Sequence, residues 1–72
     1  MKIILTNHAV MSLLLRNIDT WKAKEVVKAP SWQKPQRDGS VAMRRDFDGK
    51  TIEVICVIKG GDYLIKTAYL CE

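Results

Sequence analysis

Apolar residues in this 72-residue chain recur with a period of 3.6 before Gly39 and with a period of 2 after it. That change constrains the fold more than any other feature. In "VAMRRDF", Val41, Met43 and Phe47 share a face; in "TIEVICVI", Ile52, Val54, Cys56 and Ile58 share one. In "YLIKTAYL" the same alternation groups Tyr63, Ile65, Thr67 and Tyr69. Asp48-Gly49 and Gly60-Gly61 separate these runs, and both pairs accept the positive φ that two-residue hairpin turns need. Three strands joined by two tight turns predict an antiparallel meander.

The first half reads as helical. "MKIIL" has room for a short strand, and Thr6 or Asn7 can then cap a helix by accepting from its free first-turn amides. Ala9, Val10, Leu13 and Leu14 keep the spacing of a buried helical face, widened by Met11 and Leu15. Arg16 suits the negative end of that helix, and Asn17 suits a left-handed C-terminal position. Asp19 or Thr20 can cap a second helix that turns Trp21, Val26 and Val27 inward and Lys22, Lys24 and Lys28 outward. Pro30 ends it, because the residue before a proline leaves helical geometry. "PSWQKPQRDGS" reads as a loop or irregular edge. The expected fold is α+β: one domain over residues 1–72, with two N-terminal helices packed on one face of a three- to four-stranded antiparallel meander.

Twelve Lys and Arg against eight Asp and Glu leave a net charge of +4. On so small a domain this favours a polyanion or an acidic protein as partner. Cys56 and Cys71 are not in metal-ligand spacing, and one histidine cannot complete a zinc set, so neither metal nor cofactor is expected. The apolar runs fall far short of the roughly 20 residues that span a bilayer. "MKIILTNH" lacks the long apolar stretch of a signal peptide. These features predict a cytoplasmic protein with reduced thiols and no membrane contact.

Taken in order, Thr6, His8-Ala9, Arg16-Asn17-Ile18, Val26-Val27, Pro30, Gly49, "TIEVICVI" and the closing "IKTAY" resemble a bacterial and phage family of small proteins. It is the family filed as domain of unknown function 4258. Its members typically read T-x-H-A near the start, R-G-I at the end of helix one, a proline after helix two and a T-x-Y-like ending. The resemblance runs over residues 5–69. The family is similar in layout to RelE/ParE-type toxins, a group in which metal-free RNA cleavage is common and some branches poison other targets such as gyrase. The resemblance therefore implies a RelE/ParE-like domain. Two positions depart from the pattern: Ser12 stands where the family often has an arginine, and Asn17 replaces the usual glycine.

Metal-free RNA cleavage needs a base for the ribose 2′-hydroxyl, an acid for the leaving oxygen and cations for the charge on phosphorus. His8 is the acid/base candidate, since histidine exchanges its proton near neutrality, although a histidine at a helix start can equally cap or pack. Thr67 is expected on the helix-facing side, where it could hydrogen-bond His8. Arg16, Arg44, Arg45 and Lys66 are the phosphate-binding candidates. Regular alternation puts Arg44, Glu53 and Lys66 together on the open sheet face, with Lys50 at its edge. Arg16 lies eight residues after His8, about 12 Å of helix rise, so its plainer role is to match the helix dipole. Trp32 is the candidate to stack a base or touch a partner.

The function expected on these grounds is a toxin-like, metal-independent endoribonuclease acting on RNA through His8. The alternative is a non-catalytic binding module of a mobile element that holds a partner protein or nucleic acid through a basic sheet face. Partners in view are RNA, an acidic antitoxin or other protein, and a second copy joined through an edge strand.

Overall fold

A computed structural model describes residues 1–71. Seven elements follow in chain order: β1 (Ile3–Leu5), α1 (Asn7–Leu15), α2 (Thr20–Lys28), β2 (Trp32–Pro35), β3 (Val41–Phe47), β4 (Lys50–Lys59) and β5 (Asp62–Cys71). The strands form one five-stranded sheet in the order β1-β5-β4-β3-β2. The class is α+β, as the change of period predicts. The sheet is larger than the expected meander, and it is mixed, because β1 pairs parallel to β5.

The local signals act where the sequence places them. Asp48 and Gly49 have φ of 51° and 80°, and Gly60 and Gly61 have 56° and 84°. Each pair closes a hairpin in the left-handed conformation that its residue types tolerate. Thr6 caps α1, accepting from Ala9 N at 3.1 Å. At the other end Asn17 takes φ 55°. Ile18 N donates to Leu13 O and Asn17 N to Leu14 O, a paired closure of the last turn. The same turn seats Ile18 beside Leu13 in the core.

Both helices cover the same sheet face. Ala9 and Leu13 of α1, and Ala23, Val26 and Val27 of α2, join Met43, Ile52, Val54, Cys56, Ile65 and Ala68 in one buried cluster. Fully burying an aliphatic side chain contributes about 1.5–3 kcal/mol, so this cluster is the main source of stability. Cys56 lies inside it, while Cys71 is on the opposite face beside Glu53; both thiols are free.

Four expectations are corrected. Of the two readings of "PSWQKPQRDGS" the edge holds and the loop does not: Trp32–Pro35 pairs antiparallel with β3 as an edge strand, where Pro35 is tolerated because nothing pairs beyond it. The buried face of α1 is Ala9, Ser12 and Leu13, leaving Leu14 and Leu15 at 73% and 80% exposure, with Val10 and Met11 also exposed. "AVMSLLL" is apolar nearly all round, so periodicity alone could not orient it. Trp21 is 59% exposed because it falls about 200° around the helix from Ala23. It packs edge-on against Phe47 instead of entering the core. Last, the alternation of β5 does not run through Thr67 and Tyr69, and this displacement shapes the site.

Candidate functional site

Along most of β4 and β5 the register is regular, from Thr51↔Cys71 to Ile55↔Thr67. Cys56, the next residue of β4, pairs with Ile65 and not with Lys66. Lys66 is thus an extra residue in β5, a β-bulge. Before it, Tyr63 and Ile65 face the helices; after it, Ala68 and Leu70 take over that face opposite Val54 and Ile52. Thr67 and Tyr69 move to the other face, opposite Ile55 and Glu53.

The bulge sits where β1 gives way to α1. The backbone N and the hydroxyl of Thr6 both donate to Ile65 O, at 3.2 and 2.9 Å. This ties the first turn of α1 to β5 directly before the bulge. The resulting concavity, of about 410 Å³, is lined by Thr6, His8, Ile55, Lys66 and Thr67. His8 is exposed there. Thr67 does not bond His8. Its Oγ1 lies 3.0 Å from Ser12 Oγ, inside α1 and at the position where the resembling family often has an arginine.

Of the seven sequence candidates, His8, Lys66 and Thr67 come together; the other four do not line this concavity. Arg16 caps the far end of α1. Arg44 and Arg45 are adjacent in a strand and so point to opposite faces. Arg45 turns to the helices, 3.4 Å from Glu25 and over the Phe47 ring. Arg44 is on the bare face, but its Nε is 2.5 Å from Glu53 Oε1. Trp32 is on that face too, its ring 4.4 Å from the Arg44 guanidinium. Lys66, at the bulge, is separated from Arg44 by the row of Thr67, Ile55 and Ala42.

A second arrangement crosses the bare face. Trp32, Arg44, Glu53 and Tyr69 stand directly opposite one another on β2, β3, β4 and β5. Arg44 stacks on Trp32 and bonds Glu53, and the Tyr69 hydroxyl donates to the other oxygen of Glu53. Glu53 is 4% exposed, and both its oxygens have partners. The bond to Glu53 holds the Arg44 guanidinium above its ordinary pKa. Burial, and then the Glu53 charge, push the Cys71 thiol up. The row is an internally satisfied network and leaves Arg44 little freedom to hold a phosphate.

Sequence reading missed Thr6 as a wall of the concavity, Ile55 as its floor and Tyr69 as a partner of Glu53. One signal was present: the polar pair Lys66-Thr67 between Ile65 and Ala68 interrupts strict alternation, as a bulge requires. Among the described residues, no group of three or more His, Cys, Asp and Glu is placed to hold a metal ion. No helix is long and apolar enough to cross a membrane. Neither family models, nor curated proteins, nor solved structures give a match to this chain.

Proposed function

We propose that the chain is a toxin-like endoribonuclease whose site is the concavity beside the β5 bulge. The observation that carries this reading is that one inserted residue, Lys66, brings the single histidine, a lysine and a threonine around one hollow. His8 takes the proton of a ribose 2′-hydroxyl and returns a proton to the leaving oxygen. The Lys66 ammonium offsets the charge that develops on the phosphorus oxygens. Thr67, held by Ser12, presents its hydroxyl to a non-bridging oxygen. Ile55 supplies an apolar floor on which a ribose or base can rest. The resemblance to domain of unknown function 4258, and through it to RelE/ParE-type toxins, agrees with this chemistry. Arg44 and Arg45, already engaged by Glu53 and Glu25, take no part.

The test is incubation of the purified protein with RNA in the presence of a chelator. Cleavage should leave cyclic-phosphate or 3′-phosphate ends. His8→Ala should lower the rate by on the order of a hundredfold or more, the usual scale of general acid–base catalysis. If wild type and His8→Ala leave RNA equally intact, the cleavage reading is lost. RNA binding that survives His8→Ala without any cleavage would identify a binding module instead.

A further inference from the structure

Only one face of the sheet is covered by helices. On the other, the register aligns Ile4, Leu64 and Val57 across β1, β5 and β4, and beside them Thr67, Ile55 and Ala42 across β5, β4 and β3. Ile4 is exposed, and Leu64, Val57 and Ile55 are only half-buried. Four exposed lysines surround this apolar strip. Lys34 stands opposite Ala42, Lys59 follows Val57 by two residues, Lys2 precedes Ile4 by two, and Lys66 is the bulge. Among the described residues none of the four forms an ion pair. Of the carboxylates here Glu53 is paired with Arg44, while Asp46, Asp62 and Asp38 bond only neutral donors, Thr51, the backbone N of Lys2 and Ser40, so the four lysines outnumber the three carboxylates that keep their charge.

We infer that this face docks an acidic amphipathic helix of a partner protein. Its apolar stripe lies on Ile4, Leu64, Val57 and Ile55, and its carboxylates meet Lys2, Lys34, Lys59 and Lys66. An apolar centre inside a charged rim is the anatomy of a protein interface. The sign of the rim selects an acidic partner. The interior strands use their backbone groups on each other, so the face offers side chains only. A helix is the element that covers such a surface, as α1 and α2 already do on the reverse. From β1 to β3 the strip crosses about 14 Å, matched by about ten residues of helix. A second copy fits poorly, because a two-fold contact would set the same lysines against themselves. RNA would use the lysines but would find few partners in Ile4, Leu64 and Val57.

The probe is a synthetic helical peptide with leucines along one stripe and glutamates elsewhere, titrated into the ¹⁵N-labelled full chain. Saturable amide shifts are expected at Ile4, Ile55, Val57 and Leu64, and not at Met11, Leu14 or Leu15. Affinity should fall at least tenfold in the double variant Lys34→Glu, Lys59→Glu, whose exposed positions leave the fold and its amide dispersion intact. Equal affinity for the same peptide with lysine in place of glutamate would overturn the inference. So would shifts centred on α1, self-association through this face in sedimentation, or a uridine oligonucleotide moving Ile4, Val57 and Leu64, which lie outside the concavity, at lower concentration. The inference does not rest on the cleavage reading. A chain that docks the acidic peptide and leaves RNA intact upholds this one and overturns the other.

Discussion

Ser12 Oγ and Thr67 Oγ1 lie 3.0 Å apart, joining α1 to the residue that follows the β5 bulge across 55 positions of sequence. Ser12 is the one polar residue on the buried face of α1. Its hydroxyl gives Thr67 a partner at the edge of the sheet. Ser12→Ala should cost about 1 kcal/mol of stability, the net value of one such bond. It should also broaden the amide signals of Lys66 and Thr67. Chemical denaturation and an NMR spectrum of the variant check both effects.

Thr6 performs two tasks with one oxygen, accepting from Ala9 N as cap and donating to Ile65 O. Thr6→Ala should cost about 0.5–2 kcal/mol, the range for loss of an N-cap. Thr6→Ser should restore most of it. If the concavity is the RNA site, Thr6→Ala should also slow cleavage, because it loosens the turn that carries His8. Denaturation midpoints and cleavage rates of both variants separate the two effects.

Burial separates two similar aliphatic substitutions. Ile65 is fully buried in the core, and Ile65→Ala should cost about 2–5 kcal/mol. That is a large share of the 5–15 kcal/mol typical of a folded domain. Leu15→Ala, at an exposed position, should change stability by less than about 0.5 kcal/mol. Thermal melts of the two variants should differ accordingly.

The Cys71 thiol is raised above its ordinary value of 9.0, first by burial and then by the Glu53 carboxylate. It should alkylate more slowly than a free cysteine at pH 8, and faster in Glu53→Gln. A raised thiol also means that the folded chain holds this proton more tightly than the unfolded one. That contribution is therefore lost as pH rises past 9.0. Tyr69→Phe should remove a donor from the buried Glu53, at about 1–3 kcal/mol. Timed alkylation with mass spectrometry follows the thiol, and denaturation follows the tyrosine.

In the β2–β3 turn the hydroxyl and the backbone N of Ser40 both donate to Asp38 Oδ1, at 2.6 and 3.0 Å. These bonds hold the Asp38 carboxyl below its ordinary value of 3.8. The folded chain therefore gains from this turn above that value and loses the gain as pH falls through the lowered one. Ser40→Ala should move the Asp38 midpoint upward, part of the way back. A carboxyl NMR titration of both proteins reads the shift.

The sequence by itself determined the elements whose demands are local. Asp48-Gly49, Gly60-Gly61 and Asn17 are residue types that tolerate positive φ, so two hairpins and a helix end were legible from a few neighbouring letters. A cap at Thr6 or Asn7, of which the structure uses Thr6, Pro30 as helix stop and the core faces of β3 and β4 followed in the same way. His8 and Thr67 were legible as neighbours, though the contact expected between them is made by Ser12; Lys66, expected on the opposite face beside Arg44, joins them only through the bulge. Tertiary structure alone decided the rest. The parallel pairing of β1, the strand at Trp32–Pro35, the extra residue Lys66 and the orientation of α1 each depend on chain segments far apart in sequence. Their energies come from register and burial against a distant partner, and no local window contains both partners.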